Sequence, residues 1–203
     1  LHILDKLAKK LINDSGAKPA FLGYKPYGAR EAFPYSVCLS LNDTVVHGQP
    51  SRYELASGDV LKKDLGVLHR GFYTDAALTV GVGEASEPIL RLIKATKHAL
   101  DLGIKEAVPG NSIGDIGFAI NHFIESEGFK VVRGLAGHGI GRDLHEDPVV
   151  NNYGQKGKGM KLRKGMVIAI EPMVASSKDI IKCDDDSYAT LDGSLSAHFE
   201  DTL

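Results

Sequence analysis

A short stretch rich in glycine and histidine, GHGIGRDLHEDP at Gly137–Pro148, constrains this chain more than any other part of its sequence. Glycines flank His138, and His145 follows just before two acids and a proline. Glycine reaches backbone conformations that other residues avoid and lets a ligand approach the main chain closely. Alone, the stretch would suit a surface loop with two solvated histidines. It points to a site because four acidic residues in predicted strands precede and follow it: Asp64, Asp75, Glu171 and Glu200.

The composition indicates a single compact domain. The chain has 203 residues, 43% of them hydrophobic, which is enough for a buried core and unlike disordered or fibrous sequences. A net charge of −2 gives no long-range attraction to nucleic acid or anionic lipid, so neither is expected as a partner. Cys38 and Cys183 lie far apart, which predicts neither a disulfide framework nor a zinc knuckle. Without an apolar run of membrane length or a signal-peptide pattern, a cytoplasmic location is expected.

Hydrophobic periodicity and turn residues predict the order of the secondary structure. Residues 18–34 are aromatic and rich in turn residues, and we expect this segment, which includes Tyr27, to form a loop over a surface or pocket. Helices are predicted over residues 1–14, 88–102 and 112–127. Strands are predicted over residues 35–41, 45–47, 58–65, 72–80, 129–133, 166–170 and 195–203.

The two strands around residue 70 are expected to form a hairpin. If His69 and Arg70 are its two-residue loop, Asp64 lies directly opposite Asp75 on one face of the sheet. Two adjacent carboxylates need a compensating cation or a shared proton. The alternative is a slipped register or a bulge that separates the two side chains.

The last two acids belong to two further predicted strands. Glu171 directly follows an almost wholly apolar strand, where a buried carboxylate is costly unless it is paired or binds a metal ion. The segment 195–203 alternates, with Ser196, His198 and Glu200 on one face. With His138, the set becomes four carboxylates and one imidazole, which suits divalent Mn, Fe, Co or Zn rather than a cysteine-based structural zinc site.

The charge of this set predicts the number of ions. Four carboxylates carry −4, which two divalent ions neutralise and one does not. Two metal ions roughly 3.5–4 Å apart can hold a bridging water, lower its pKa and polarise a carbonyl group, and this predicts hydrolysis. An acidic, magnesium-dependent phosphoryl-transfer site is the alternative, although the sequence offers no phosphate-binding loop.

Longer motifs carry a resemblance to a known family along the whole chain. They are FLGY, VCLSLNDTVVHG, GDVLKKDLG, GFYTDAALTVGVG, VPGNSIGDIG, GHGIGRDLHEDPVV, LRKGMVIAIEPM and DGSLSAHFEDT. The chain resembles the type I, bacterial-type methionine aminopeptidases, and the short step from His138 to Glu171 leaves no room for the insertion of the type II enzymes. The resemblance implies a pita-bread fold of the α/β (α+β) class, in which two pseudo-symmetric halves carry an antiparallel sheet covered by helices. Residues 1–203 are then one catalytic domain that lacks the family's N-terminal helix and final C-terminal strand.

The resemblance also implies a role for each site residue. Asp64 chelates one divalent ion, Asp75 and Glu200 bridge both, and His138 and Glu171 complete the other. Glu171 also serves as general base or proton shuttle. His47 contacts the substrate near its scissile amide or free amine, and His145 holds the carbonyl oxygen. The methionine pocket is formed by Phe21, Tyr24, Phe33, Cys38 and Leu144, with Tyr188 as a lid. A monovalent cation is expected at Asn42, Thr44 and Ser196.

The implied function is removal of the initiator methionine from nascent proteins when the next residue is small. Substrate N-termini near the ribosome are the expected partners, and a monomer is the expected state. One alternative is a proline-directed aminopeptidase or dipeptidase of the same fold. Another is a metal-free pita-bread adaptor that binds protein or RNA, which the presence of all five ligands disfavours.

The chain departs from the family pattern at several positions. Lys63 precedes the first ligand where the family has an apolar residue, and on a strand it should point away from the metal ions. Gln49 replaces an aliphatic residue, and Asp201 stands where the family commonly has histidine, so it places a second acid beside Glu200. The loop at residues 25–32 is longer than usual and should reshape the mouth of the pocket.

Overall fold

A computed structural model describes residues 1–26 and 28–203, so Tyr27, which we assigned to the aromatic loop, lies outside the described residues. The described part has three helices: α1 (His2–Asp14), α2 (Glu87–Glu106) and α3 (Ile113–Ser126). Its first seven strands are β1 (Lys18–Pro19), β2 (Cys38–Leu41), β3 (Thr44–Val46), β4 (Val60–His69), β5 (Phe72–Gly81), β6 (Lys130–Val131) and β7 (Gly137–Gly139). The other seven are β8 (Glu146–Val150), β9 (Ile168–Ile170), β10 (Met173–Ala175), β11 (Ile180–Lys182), β12 (Tyr188–Thr190), β13 (Ser196–His198) and β14 (Glu200–Thr202).

The strands form one large sheet and two small ones. The large sheet has eight strands in the order β1-β4-β5-β14-β9-β7-β8, with β2 paired to β4. The small sheets have the orders β13-β10-β6 and β11-β12-β3. Neighbouring strands run antiparallel in all three sheets, as predicted. Short connections between sequential strands suit this arrangement.

The helices α2 and α3 supply one side of the main core. Ile116, Ile120 and Ile124 of α3 are fully buried, together with Leu100 of α2, and pack with Ile170 of the large sheet. The spacing of these side chains is that of one helix face, which explains why the periodicity of the sequence identified both helices. Among the described residues, no helix is long and apolar enough to cross a bilayer.

The hairpin of β4 and β5 differs from the predicted register. Arg70 and Gly71 form the turn, both with positive φ (51° and 84°), and Asp64 pairs with Ala77 rather than with Asp75. Two-residue hairpin turns of this kind favour glycine at the second position because both central residues have φ above zero. The predicted loop was therefore one residue too early. The error shifts each pair by two residues, so Asp64 and Asp75 are diagonal neighbours and stay on the same face.

The predicted single strand over residues 195–203 is wrong. Phe199 interrupts it, and its N–H donates to the carbonyl oxygen of Pro172 at 3.3 Å. On one side of this break β13 pairs with β10 in a small sheet, and on the other β14 pairs with β9 in the large sheet. The neighbouring segment of the same chain breaks between β9 and β10, at Glu171-Pro172, because proline lacks the N–H needed for hydrogen bonds between strands. Glu171 and Glu200 thus lie where two neighbouring chain segments pass from one sheet to another.

The α3 helix also supports the loop that follows β8. Gly117 faces this loop so closely that an added Cβ would lie 2.5 Å from the carbonyl oxygens of Asn151 and Tyr153. Asp115 holds the same loop by accepting a hydrogen bond from the Gly157 N–H at 2.8 Å. Glycine is therefore required here for close approach of two main chains.

We expect Gly117→Ala to destabilise the protein, although alanine is the better helix former by about 1 kcal/mol. The Cβ must displace main-chain oxygens, so the free energy of unfolding should fall by about 2 kcal/mol. Urea unfolding followed by circular dichroism measures the change. Glu125→Ala on the exposed face of α3 is the control and should change stability little. An unchanged or raised stability of Gly117→Ala would show that the loop does not press on the helix.

Candidate metal centre

The pairing of three strands places the first acidic residues on one face of the large sheet. Side chains of paired residues point to the same face, as do side chains two residues apart. Asp64 pairs with Ala77, which in turn pairs with Glu200, and Asp75 lies two residues before Ala77. Ala77 lies between Asp64 and Glu200 on this face, and its small side chain leaves space above the sheet.

The next two strands extend the same face. His138 pairs with Ala169, and Ala169 pairs with Thr202, two residues after Glu200. Glu171 lies two residues beyond Ala169, just past the end of its strand. The structure therefore brings together all five metal ligands that the sequence predicted.

The tautomer of His138 is set by the backbone of the next residue, Gly139. Its Nδ1 lies 2.8 Å from the carbonyl oxygen of Gly139, to which it can only donate. The unprotonated Nε2 then faces the acids, 3.7 Å from Glu171 Oε1 and 4.0 Å from Glu200 Oε1. A neutral imidazole in this tautomer is a metal ligand, because its free lone pair points into the cluster.

Polar side chains hold the backbone of the acids in place. Thr202 Oγ1 accepts a hydrogen bond from the Asp75 N–H at 2.8 Å and donates one to the Asp75 carbonyl oxygen at 2.7 Å. Asn152 Nδ2 donates to the carbonyl oxygen of Glu171 at 2.9 Å. These contacts fix the positions of two carboxylates without neutralising them.

The acids are buried close to one another, and this raises their pKa values. Burial, followed by the charges of Asp75 and Glu171, raises the pKa of Asp64 well above its usual range. Burial raises the pKa of Asp75 to about 7. The pKa values of Glu171 and Glu200 are raised well above the ordinary value for the same reasons, and Asp201 contributes to that of Glu200. Without a cation, the protein therefore favours protonated acids at this site.

The donor atoms fit a divalent metal ion. Among the described residues, Asp64 Oδ1 and Glu200 Oε1 are buried without a hydrogen-bond partner, which is costly for a carboxylate. Asp75, His138 and Glu200 present ligand atoms within 4.8 Å of one another. A buried set of oxygen atoms with one imidazole nitrogen is the ligand type that divalent transition metals bind.

His198 is a residue of the site that the sequence analysis did not identify. It is 1% exposed, and its Nε2 lies 3.4 Å from Glu171 Oε2. With Glu171 and Glu200 it forms a second group of donors within 4.8 Å. Burial lowers its pKa to about 3, so the ring is neutral. Its position two residues before Glu200 in an alternating segment was the available signal.

A cavity of about 790 Å³ opens onto the acidic cluster. It is lined by all five predicted ligands and by His47, His145, Phe21, Tyr24, Phe33, Cys38 and Leu144. Phe21, Cys38 and Leu144 are buried in one apolar cluster, against which Tyr24 and Phe33 pack. Burial and the neighbouring carboxylates raise the pKa of the Cys38 thiol well above its usual range, so the thiol is neutral. The cavity thus has an acidic floor and an apolar side.

Two histidines line the cavity beside the acids. His47 directly follows β3 with a φ of 59°, a strained conformation for histidine that is often found at functional positions. His145 Nδ1 lies 2.6 Å from the Tyr24 hydroxyl, and its ring meets that of His138 edge-on at 4.4 Å. Enclosure in the cavity, followed by His138 and His47, lowers the pKa of His145 to about 4. His145 is therefore neutral.

One prediction around the cavity needs correction, and a monovalent cation at Asn42, Thr44 and Ser196 stays a prediction. Tyr188, the predicted lid, is not among the described residues that line the cavity. Its strand pairs with β3, and its ring packs edge-on against His47 at 5.9 Å, so it supports His47 from behind. At the predicted monovalent-cation site, the ammonium group of Lys62 lies between the carbonyl oxygens of Asn42 and Ser196.

We expect Asp75→Asn to stabilise the metal-free protein and to destabilise the protein supplied with Mn²⁺. In the wild type, unfolded Asp75 loses its proton near pH 4, whereas the folded carboxyl keeps it up to about pH 7. Between these two pKa values the folded wild type binds more protons than the unfolded chain, so its free energy of unfolding falls as pH rises. The Asp75→Asn variant lacks this titrating group and does not lose stability in this way. The advantage of the variant should grow by about 2 kcal/mol between pH 5 and pH 7.

Thermal unfolding in EDTA and in MnCl₂ across this pH range measures both effects. Glu54→Gln, an exposed acid far from the cluster, is the control and should show neither. If Asp75→Asn were less stable than the wild type in EDTA at every pH, the carboxylates would not repel one another in the metal-free fold.

Comparison with known proteins agrees with this geometry. Methionine aminopeptidase of Clostridium perfringens (strain 13 / Type A) is 46% identical over 98% of this chain and 79% of its own length. The crystal structure of methionine aminopeptidase from Rickettsia prowazekii superposes with a TM-score of 0.93 at 40% identity, covering 99% of this chain and 80% of that one. The prolidase from Pyrococcus horikoshii OT3 has a TM-score of 0.75 at 23% identity and covers 99% of this chain and 50% of that one, a likeness in fold alone. The predicted pita-bread fold is confirmed by these neighbours.

The family assignment covers almost the entire chain. The sequence profile of metallopeptidase family M24 matches residues 4–203, which include every predicted ligand. Divalent metal use follows from this match together with the donor groups described above. This chain therefore belongs to metallopeptidase family M24 and is similar to bacterial methionine aminopeptidases within it.

Proposed function

We propose that this protein removes the N-terminal methionine of polypeptides by metal-dependent hydrolysis of the first peptide bond. The observation that carries the proposal is the single cavity with an acidic floor of five donors and an apolar side. A peptide whose terminal amide lies above the acids can place its first side chain against the apolar wall. The methionine aminopeptidases among the relatives of this chain support the same function.

We assign two divalent ions to the acidic floor, held by Asp64, Asp75, His138, Glu171 and Glu200. Four carboxylates need two divalent ions for neutrality, and either Co, Mn, Fe or Zn suits oxygen donors with one imidazole. Ions bound here would lower the pKa of a water molecule and polarise the scissile carbonyl group. In this assignment Asp75 and Glu200 would each help to hold both ions.

Glu171 is the residue best placed to move a proton. Its carboxyl group borders the cavity, and the Oε2 atom lies 3.4 Å from the His198 ring. As general base it takes a proton from the attacking water and passes it to the leaving amine. The His198 ring borders one oxygen of Glu171 without a hydrogen bond to it, while the other oxygen lies 3.7 Å from His138 Nε2.

The neutral His145 suits the role of a hydrogen-bond donor to the substrate carbonyl oxygen. If the Tyr24 hydroxyl donates to Nδ1, the proton of His145 lies on Nε2 and can be donated to the oxygen that gains charge in the transition state. His47 borders the same cavity and contacts the substrate near its scissile amide or free amine.

The apolar wall explains a preference for methionine. Phe21, Cys38 and Leu144 are packed together and limit the depth of the pocket, while Tyr24 and Phe33 close its side. An unbranched, polarisable side chain fills such an irregular space well. Gln49 also borders the cavity, as do Pro26 and Ala29 of the longer loop, so two of the four departures from the family pattern line it.

The cellular setting is part of the proposal. Initiator methionine is exposed on nascent chains in the cytoplasm, so we expect the enzyme to meet its substrates near the ribosome. We also expect substrates whose second residue is small, and a monomeric enzyme. A proline-directed aminopeptidase or dipeptidase remains the competing reaction, since prolidases share the fold. A metal-free adaptor role fits poorly because the acids need a cation.

The reaction is tested with the peptides Met-Ala-Ser and Ala-Pro-Ser in the presence of Mn²⁺. We expect release of free methionine from the first peptide and little cleavage of the second. Glu171→Gln should lower kcat by about 10²- to 10⁴-fold, the usual contribution of a general base. Preferred cleavage before proline would favour the competing reaction.

Two controls accompany this experiment. Glu54→Gln, an exposed acid, should retain wild-type turnover. Thermal unfolding of Glu171→Gln in EDTA shows whether the variant is folded. If folded Glu171→Gln released methionine at the wild-type rate, Glu171 would not be the base.

A further inference from the structure

A lysine side chain is enclosed where three segments of the site meet. Lys62 of β4 is 1% exposed, and its ammonium group donates to the carbonyl oxygen of Asn42 at 2.6 Å and to that of Ser196 at 3.3 Å. Lysine is almost never fully buried unless it is paired. Here its partners are backbone carbonyl dipoles rather than a carboxylate.

The carbonyl oxygens around this ammonium group belong to the residues predicted to hold a monovalent cation. Ser196 Oγ donates to the carbonyl oxygens of Asn42 at 3.2 Å and Thr44 at 3.3 Å, so the three residues converge. The position of Asn42 is fixed by its side chain, which donates to Asp59 at 3.0 Å and accepts from the Val60 N–H at 2.9 Å. The carbonyl group therefore points at the ammonium group from a rigid turn.

A second cation does not fit these carbonyl groups. The ammonium group of lysine has three donors and no acceptor, and its size is close to that of a potassium ion. A second positive charge at the same carbonyl groups would be repelled by the ammonium group, and burial strengthens that repulsion. The two accepting carbonyl oxygens favour the charged form of the Lys62 amine, because both hydrogen bonds are donated by it.

We propose that the Lys62 ammonium group takes the place of the monovalent cation, so that this protein needs neither sodium nor potassium to hold its site. The sequence prediction of a monovalent cation at Asn42, Thr44 and Ser196 is then replaced by a cation that belongs to the chain.

The location gives Lys62 a positioning role. Lys62 lies two residues before Asp64 on β4, and the two side chains share a face. Ser196 begins the segment that leads to Glu200, and Thr44 begins the strand that ends beside His47. Its bonds tie together the segments that carry two predicted metal ligands and one histidine of the cavity.

The first test uses the wild-type protein. Thermal unfolding of the metal-free protein is measured in KCl, NaCl and choline chloride at equal ionic strength, together with methionine release in Mn²⁺. We expect the same Tm and the same KM and kcat in the three salts. A saturable rise of Tm with sodium or potassium over choline would overturn the proposal, because an alkali ion would then bind the fold beside Lys62.

Variants test the role of the charge. Lys62→Met keeps most of the side-chain volume but leaves carbonyl groups without a donor, and its Tm should fall by about 5 °C in all three salts. Lys62→Ala opens a space at the carbonyl groups, and its lowered Tm should recover in KCl or NaCl relative to choline chloride. A wild-type Tm for Lys62→Met, or no recovery of Lys62→Ala in either alkali salt, would contradict the proposal.

Lys63→Met is the matched control. It removes the same charge from the next residue of β4, which points to the opposite side and borders a separate apolar cavity with Leu4 and Leu65. Its Tm should not depend on the identity of the salt. If neither Lys62 variant folds, the wild-type salt comparison alone decides. Because the unfolding readout uses metal-free protein, failure of the proposed peptidase function would leave this test intact.

Discussion

Four carboxylates on one face of the large sheet are the constraint on which the rest of the structure depends. Their burial raises their pKa values, and two of their oxygen atoms are buried without a hydrogen-bond partner among the described residues. A cluster of like charges is stable only when it holds protons or cations. The sheet holds the acids together through strand pairing, and small residues such as Ala77 and Ala169 keep the space above it free. The fold therefore stores an electrostatic cost that divalent metal binding relieves.

The acidic cluster and the carbonyl groups around Lys62 offer different ligands and therefore suit different cations. Carboxylate oxygens and the His138 nitrogen form a centre with formal negative charge, which suits divalent metal ions. Neutral carbonyl groups of Asn42 and Ser196 surround a single positive charge, and Lys62 supplies it from the neighbouring strand. The divalent ions and the Lys62 ammonium group would both draw distant segments together, but only the divalent ions would be exchangeable. In our proposal, loss of the divalent ions leaves the second support in place.

The sequence predicted the shared face of the acidic residues better than it predicted their pairing. Asp64 and Asp75 were expected to lie opposite each other, and the actual offset of two residues kept both on one face because the strand period is two. His198 and Lys62 were not identified as site residues, since their importance depends on contacts between separate segments: His198 lies against Glu171, and Lys62 bonds to Ser196, 134 residues away. The break at Phe199 was hidden by regular alternation in a segment that the structure buries on both faces. Local sequence patterns thus indicated which face of the sheet a side chain occupies, whereas its contacts depend on the pairing of strands that are distant in sequence.

The neutrality of His198 follows from the same electrostatics. A positive imidazolium beside Glu171 would compete with metal ions for the carboxylate, but complete burial and the nearby His47 and Lys62 lower the pKa of His198 to about 3. A neutral ring 3.4 Å from Glu171 Oε2, without a hydrogen bond to it, restricts the position of that carboxylate by contact alone. The Thr79 hydroxyl accepts from the His198 N–H at 2.8 Å and donates to its carbonyl oxygen at 2.6 Å, which fixes the backbone of this residue. Glu171 is therefore oriented by a group that adds no charge, so its basicity depends on the metal ions and on its burial.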